Sequence, residues 1–243
     1  MPVRDLSKVI KEREPAAGVH RARLIPDNRL CVYKEVDRPL YEPRDTDIME
    51  QELKNLSLLR GATYVVQLIA AVVSTNPYRS SREDGDDDSR VLRGLLIEYH
   101  PNGTLADALR RSDHRVRQPW RKWALQIACG LRELHTLGLT HMDLKPSNIV
   151  ISAEGDAVLL DISGQAIITQ EWLSPEMRDL FSPCSQDLGA RVQNDVWAFG
   201  KILSQMVSAS SDDVERERLT NVTCLTEVSP RITLCDAISR LNL

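Results

Sequence analysis

Short apolar runs separated by turn residues make up the first part of the chain. They predict strands around Val9-Ile10, at Val19 to Ile25, at Arg29 to Val36, at Val65 to Ser74 and at Leu92 to Glu98. Pro26-Asp27-Asn28 is typical of a turn between the second and third of these strands. One stretch, from about Thr46 to Arg60, spaces its apolar residues as a helix does. This part therefore predicts a small sheet accompanied by one helix.

Helical spacing dominates the second part. After Pro119 the apolar positions recur every three or four residues as Trp120, Trp123, Ala124, Ile127, Ala128, Leu131 and Leu134. Pro119 suits a first helical turn, and Gly138 suits the end of this helix. Between Met206 and Pro230 there is room for about one further helix. Strands followed by helices indicate an α+β protein.

Composition adds limits on size and partners. The 243 residues (27.4 kDa) suffice for one large domain or two small subdomains, and 42% hydrophobic with 27% charged residues is typical of a globular protein. A net charge of −4 argues against nucleic acid as the main partner. No stretch has the length of a membrane span, and the first residues lack a signal peptide's apolar region. We expect an intracellular, soluble protein that binds no membrane, without distinguishing cytoplasm from nucleus.

The cysteines and one acidic stretch give weaker indications of function. The five cysteines are odd in number and lack C-x-x-C spacing, so neither a disulfide framework nor a zinc site is indicated. The acidic, aperiodic stretch 76–90 predicts a mobile insert, with a docking or phosphorylation site as the alternative.

The candidate chemistry lies in His141-Met142-Asp143-Leu144-Lys145-Pro146-Ser147-Asn148, followed after a short hairpin by Asp161. An acid and an amide on one loop, with a second acid nearby, can serve a nucleophile's proton and Mg²⁺ together. The stretch resembles the H-R-D-L-x-x-x-N loop of protein kinases, with Met142 in place of Arg. This resemblance implies a bilobal fold, with a small antiparallel sheet plus one helix and a larger, mainly helical lobe.

Further signatures follow in kinase order. Thr169 to Glu176 resembles the end of a Ser/Thr kinase activation segment, and Asp195-Val196-Trp197-Ala198-Phe199-Gly200 resembles D-x-W-x-x-G. By this resemblance Asp195 caps the catalytic loop backbone, and Arg231 pairs with Glu176.

The resemblance implies a role for each site residue. Asp143 would be the catalytic base, Lys145 would neutralise the transferring γ-phosphoryl of ATP, and Thr169 would bond both. Asn148 and Asp161 would hold Mg²⁺.

Nucleotide contacts are implied in the same way. Lys34, in the strand Cys31-Val32-Tyr33-Lys34, would bind the α- and β-phosphates and pair with Glu52, with Glu50 as the other candidate. Ile97 would be the gatekeeper, and the backbones of Glu98 and His100 would bond the adenine edge. Val32 and Val150 would sandwich the adenine.

Some positions depart from the kinase pattern. Only Gly18 stands where a Gly-rich loop is expected, Asp161-Ile162-Ser163 replaces D-F-G, and the segment from Asp161 to Thr169 is short. Met142 replaces the Arg that would bind a phosphate on that segment, so we expect no control by activation-segment phosphorylation.

Three functions follow from these observations. We expect a Ser/Thr protein kinase using ATP and Mg²⁺, because Lys34, Glu52, Asp143, Asn148 and Asp161 are all present. A pseudokinase acting as a nucleotide-binding or scaffold module is the main alternative. A small-molecule phosphotransferase of related fold is disfavoured by Lys145 and by the later motifs.

We expect one kinase domain over 1–243, with the small lobe at 1–98, the hinge at 99–103 and the large lobe at 104–243.

Overall fold

A computed structural model of the chain describes residues 2–35, 43–75, 90–111, 119–164, 168–227 and 230–242. The chain forms two compact units. The first comprises Met1–Arg60 and Gln67–Tyr99, and the second comprises Gly61–Val66 and His100–Leu243. The insert expected at 76–90 lies outside the described residues except for Arg90.

The first unit is built on a six-stranded sheet of order β1-β5-β6-β4-β3-β2. Its strands are β1 (Val3–Asp5), β2 (Val9–Ala16), β3 (Val19–Leu24), β4 (Arg29–Lys34), β5 (Leu68–Thr75) and β6 (Arg90–Glu98), and its helix is α1 (Pro43–Leu58). β1 runs parallel to β5, whereas the other pairs are antiparallel. The sheet is therefore mixed. The pattern did not predict β1 because its only apolar residue, Val3, is exposed.

One face of this sheet forms a buried core. Its fully enclosed members are Ala22, Leu24, Cys31, Tyr33, Ala70, Val72 and Leu96. The Tyr33 hydroxyl donates to the Arg93 carbonyl at 3.0 Å, and burial raises the pKa of Tyr33.

A Cβ at Gly94 would clash with the Lys34 carbonyl oxygen, so only glycine permits this close approach of β6 to β4. That approach fixes the end of the strand that carries Lys34.

The second unit is mainly helical. It contains α2 (Leu105–Arg110), α3 (Trp120–Thr136), β7 (Ile149–Ile151), β8 (Ala157–Leu159), α4 (Pro175–Arg178), α5 (Leu188–Ala209), α6 (Asp213–Glu227) and α7 (Leu234–Asn242). The predicted apolar stripe of α3 is buried, and α6 is the helix predicted between Met206 and Pro230. Together the two units have the α+β composition that the sequence predicted, and that prediction is confirmed, except that the sheet is mixed and not antiparallel throughout, because β1 pairs parallel to β5.

The β7–β8 hairpin is anchored to its neighbours by polar contacts. On α3, the Gln126 side chain donates to the Asp156 carboxylate at 2.6 Å and accepts from the Ala157 backbone at 2.8 Å. Leu159 donates to the Tyr64 carbonyl at 2.9 Å, and Val66 donates to the Leu159 carbonyl at 3.0 Å. These two bonds explain why Gly61–Val66 belongs to the second unit and why β5 begins at Leu68 rather than at Val65.

Within the described residues, no helix combines the length and the apolarity that crossing a membrane requires.

Candidate active site

The loop 141–148 lies between α3 and β7, and a buried carboxylate fixes its start. Asp195 on α5 has no solvent exposure and accepts from the backbone N–H groups of His141 (2.8 Å) and Met142 (2.9 Å). His135 Nε2 lies 2.9 Å from Asp195 Oδ2. Met142 has φ +65°, a region in which a side chain strains the backbone. The two bonds to Asp195 hold the loop in this conformation.

Three predicted catalytic and metal-binding residues surround the carboxylate of the fourth, Asp143. Lys145 Nζ donates to Asp143 Oδ2 at 2.6 Å and to Thr169 Oγ1 at 2.7 Å. The Thr169 backbone N–H donates to Asp143 Oδ1 at 3.0 Å. Asn148 Nδ2 lies 2.9 Å from the Asp143 carbonyl oxygen and 3.1 Å from Asp143 Oδ2. Each side chain of the cluster is thus oriented by another member.

Asn148 and Asp161 are brought near each other by the β7–β8 hairpin. The Leu160 N–H donates to the Asn148 carbonyl at 2.9 Å, which places Asp161 one residue beyond this bond. Asp161 has φ +57° and is partly buried. The Asn148 amide nitrogen makes the bonds to Asp143, so its oxygen is the atom suited to a hard cation. An amide oxygen and a carboxylate fit Mg²⁺.

Lys34 and Glu52 form an ion pair in the first unit. Lys34 Nζ donates to both Glu52 oxygens, at 2.9 Å and 2.7 Å. Glu52 is only 2% exposed, whereas Glu50 is exposed. Removing the lysine would leave a buried carboxylate without this partner, which is costly, so the two residues depend on each other.

The residues predicted to contact adenine are divided between the units. Val32 on β4 pairs in register with the buried Ile97 on β6. Glu98 ends β6, and its N–H donates to the Gln67 carbonyl at 3.1 Å, so a contact with adenine would fall to its own carbonyl. His100 and Val150 lie in the second unit, with Val150 on β7.

A tight turn occupies the position of the expected Gly-rich loop. β2 and β3 are joined through Ala17-Gly18, with Ala16 paired to Val19 and Gly18 at φ +68°. The Gly18 N–H donates to Glu14 Oε1 at 3.0 Å. The Gly18 carbonyl accepts from the Glu35 N–H at 2.8 Å. The Glu14 carboxylate therefore already accepts the hydrogen bond from the backbone N–H that a phosphate would bind.

The segment after Thr169 is tied down by an ion pair. Arg231 Nη2 donates to both Glu176 oxygens, at 2.9 Å and 3.0 Å, and Arg231 is only 7% exposed. Partial burial raises the pKa of Glu176, but hydrogen bonds from its own backbone, from Ser174 and from Arg231 outweigh burial and lower the pKa below 4.5. The carboxylate is thus held in its charged form.

Sequence reasoning missed three supporting residues. The buried Asn194 accepts from the Ser174 N–H at 2.8 Å, Gln126 anchors β8, and Glu14 closes the β2–β3 turn. Gln126 could have been noticed as a polar residue inside the apolar stripe of α3. Nothing in the local sequence distinguishes Glu14 from its charged neighbours on β2.

Residues 16–223 match the family model described as a protein kinase domain. The match covers most of the chain, and the chain therefore belongs to the protein kinase family.

The similarity extends to individual curated proteins. The chain is 31% identical over 173 residues to mitogen-activated protein kinase kinase kinase 17 of Arabidopsis thaliana, covering 70% of this chain and 44% of that protein. It is 29% identical over 203 residues to mitogen-activated protein kinase kinase kinase dlk-1 of Caenorhabditis elegans, covering 79% and 18%. Human serine/threonine-protein kinase 16 is 30% identical over 138 residues, covering 46% and 44%. The chain thus spans less than half the length of these relatives.

Proposed function

We propose that this chain transfers the γ-phosphoryl group of ATP to serine or threonine hydroxyls of a protein substrate. The observation that carries the proposal is the cluster of Lys145, Asn148 and Thr169 around the Asp143 carboxylate, with distances of 2.6–3.1 Å. The three relatives described above are named as protein kinases, which supports the same activity.

In this proposal Asp143 accepts the proton of the attacking hydroxyl. Its Oδ1 is bonded by the Thr169 N–H and its Oδ2 by Lys145, so the carboxylate is fixed before the substrate arrives. Lys145 is the cation beside this carboxylate and offsets negative charge on the transferring phosphoryl oxygens. The hydroxyl of Thr169 orients the lysine through the 2.7 Å bond.

Asn148 and Asp161 would hold Mg²⁺, which, when bound, neutralises charge on the phosphate oxygens of ATP. Asn148 also bonds the Asp143 carbonyl, so the same side chain links the metal site to the base. Lys34, oriented by Glu52, would bind the α- and β-phosphates, with Val32, Ile97, Glu98, His100 and Val150 around the adenine.

The proposal extends to domain organisation. We place the small lobe at 1–98, the hinge at 99–103 and the large lobe at 104–243. The division of the chain into units between Tyr99 and His100 supports this placement, and the attachment of Gly61–Val66 to the second unit modifies it.

Thermal stabilisation by ATP, with and without Mg²⁺, tests nucleotide binding in the wild type and in Asp161→Ala. We expect a Mg²⁺-dependent rise in Tm that Asp161→Ala loses. Transfer of labelled γ-phosphate to a generic Ser/Thr substrate then tests activity, with Asp143→Ala as the inactive control. A stabilised wild type that transfers nothing would refute the proposed catalysis.

A second function, a pseudokinase that binds partners and transfers phosphate poorly, is favoured by one contact. Glu14 occupies the Gly18 N–H and places a negative charge where phosphates are expected. ATP binding too weak to detect, with Asp143→Ala indistinguishable from the wild type, would support this second function.

A further inference from the structure

Met142 occupies the position of an arginine in the kinase pattern, and its side chain packs into an apolar cluster. It is 2% exposed and forms a buried cluster with Leu173 and Met177. Ile168, Cys184 and Ala190 pack against this cluster. All six members are uncharged. Where the kinase pattern has a positively charged arginine, this chain therefore has a methionine packed in an uncharged cluster.

The cluster joins the catalytic loop to the segment that follows it in the chain. Met142 precedes Asp143, whereas Ile168 and Leu173 flank the turn that begins at Thr169. Ile168 directly precedes Thr169, and its packing against the cluster restrains the chain at this point. Thr169 in turn bonds both Asp143 and Lys145. The position of Thr169 is thus coupled to the Met142 side chain.

A second link between the same elements runs through Asn194. Its Oδ1 accepts from the Ser174 N–H at 2.8 Å, and its Nδ2 lies 4.0 Å from the Met142 sulfur. Asn194 is 1% exposed. The same helix, α5, carries Asp195, which holds the Met142 backbone in its strained conformation. Helix α5 therefore contacts both the side chain and the backbone of Met142.

We propose that Met142 is a positioning residue that holds residues 168–177 by apolar packing, so that Thr169 stays bonded to Asp143 and Lys145 without phosphorylation of the chain. This inference rests on the proposed function, because it assigns the bonds of Thr169 a role in phosphoryl transfer. A phosphate ordered by an arginine is one way to fix such a segment. The apolar cluster restrains the Thr169 end of the segment without a phosphate, while the Arg231–Glu176 ion pair restrains its far end.

Met142→Gln tests the proposal, because glutamine keeps the length of the side chain and places an amide in the apolar cluster. We expect amide hydrogen exchange of 168–177 to accelerate about tenfold. We expect kcat to fall about 10- to 100-fold, since a small displacement of Thr169 misplaces the reacting groups. The KM for ATP should stay unchanged. Met142→Leu, which keeps volume and polarity, should restore both readouts.

Met206→Gln is the matched control. Met206 is fully buried on α5 and lies outside the cluster, so its substitution should lower Tm without altering exchange of 168–177 or kcat. If Met142→Gln does not fold, Ile168→Thr perturbs the cluster from its partly buried side and should give the same two effects.

Phosphatase treatment of the wild type completes the test and should leave kcat unchanged. Wild-type exchange and kcat in folded Met142→Gln, or a large loss of activity after phosphatase, would overturn the proposal. Hydrogen exchange needs no phosphoryl transfer, so it tests the apolar cluster even if the wild type proves inactive. Transfer by the wild type combined with unchanged exchange in the variants would leave the proposed function standing and refute only the role of Met142.

Discussion

At the scale of single residues, the geometry around Asp143 depends on one cation with two partners. Lys145 donates to Asp143 at 2.6 Å and to Thr169 at 2.7 Å, and its side chain is 23% exposed. The charged bond to the carboxylate is the stronger of the two. The hydroxyl of Thr169 therefore serves to direct the ammonium group, while the carboxylate holds it near.

Thr169→Val removes this hydroxyl and keeps the shape of the side chain. The Thr169 backbone bond to Asp143 remains possible, so we expect an unchanged Tm and a kcat reduced about tenfold through loss of one orienting hydrogen bond. Steady-state kinetics with ATP and a peptide substrate measure the effect. Thr169→Ser, which retains the hydroxyl, should keep most of the activity, and equal losses in the two variants would contradict the assigned role.

At the scale of secondary structure elements, the β2–β3 hairpin differs most from what the kinase pattern implies. Its turn is closed by Glu14 on one side and by Glu35 on the other. Anions bind well to free backbone N–H groups, and a carboxylate at the same N–H both blocks and repels them. The hairpin is therefore arranged against tight phosphate binding.

Glu14→Gln should strengthen nucleotide binding, because it removes the negative charge and weakens the bond to Gly18. We expect the Kd for Mg-ATP to fall about threefold to tenfold, with no change for adenosine, which lacks phosphates. Isothermal titration calorimetry measures both ligands. Glu12→Gln is the control, since Glu12 lies on the same strand but pairs with Arg21 and Arg23. An equal gain in the control would assign the effect to net charge alone.

Helix α2 carries a capping box that can be tested separately. Thr104 accepts from the Asp107 N–H at 3.1 Å, and the Asp107 carboxylate accepts from the Thr104 N–H at 3.0 Å. Thr104→Ala should lower the free energy of unfolding by about 1 kcal/mol in urea titrations. Thr104→Ser, which keeps the cap, should lose much less. No difference between the two variants would mean that the cap contributes nothing measurable.

Some features of the structure could be predicted from the sequence, and others could not. The motifs around Asp143, Asp161 and Asp195 allowed the fold to be predicted, whereas α3 was predicted from its apolar spacing and α6 from the length of chain between Met206 and Pro230. Strand β1 could not be predicted, because it has only three residues and its one apolar residue, Val3, is exposed, so the sequence shows no strand pattern there. The bond of Glu14 to Gly18 depends on side-chain direction in a tight turn, which no local pattern encodes.

At the scale of the whole molecule, both units contain carboxyl groups whose pKa is lowered by hydrogen bonds and cations. Among the described residues these are Asp5, Glu12, Glu35, Asp107, Asp156 and Glu176. For Asp107, bonds from the Thr104 backbone and hydroxyl lower the pKa from 3.8 to about 2. These groups favour the folded state only while they are charged.

Acid should therefore destabilise both units. A carboxyl group whose pKa is lower in the folded than in the unfolded chain stabilises fully above the unfolded value and loses that contribution as pH falls. We expect Tm to change little on this account above pH 4.5 and to fall progressively between pH 4.5 and about 2. Scanning calorimetry across this range measures the trend. Asp107→Asn should flatten the curve between pH 3.8 and about 2, and an unaltered curve would contradict the assignment.

Asp143 is proposed above as the base for phosphoryl transfer from ATP to protein hydroxyls, and this role can be tested directly. The most direct test incubates the protein with γ-labelled ATP, Mg²⁺ and a mixture of Ser/Thr and Tyr peptides, and then identifies the labelled amino acids. We expect labelled phosphoserine or phosphothreonine with wild type, and a loss of about 10²- to 10⁴-fold with Asp143→Asn, which removes the base but keeps the shape of the side chain. Absence of label with wild type, or equal labelling by Asp143→Asn, would contradict the proposed role.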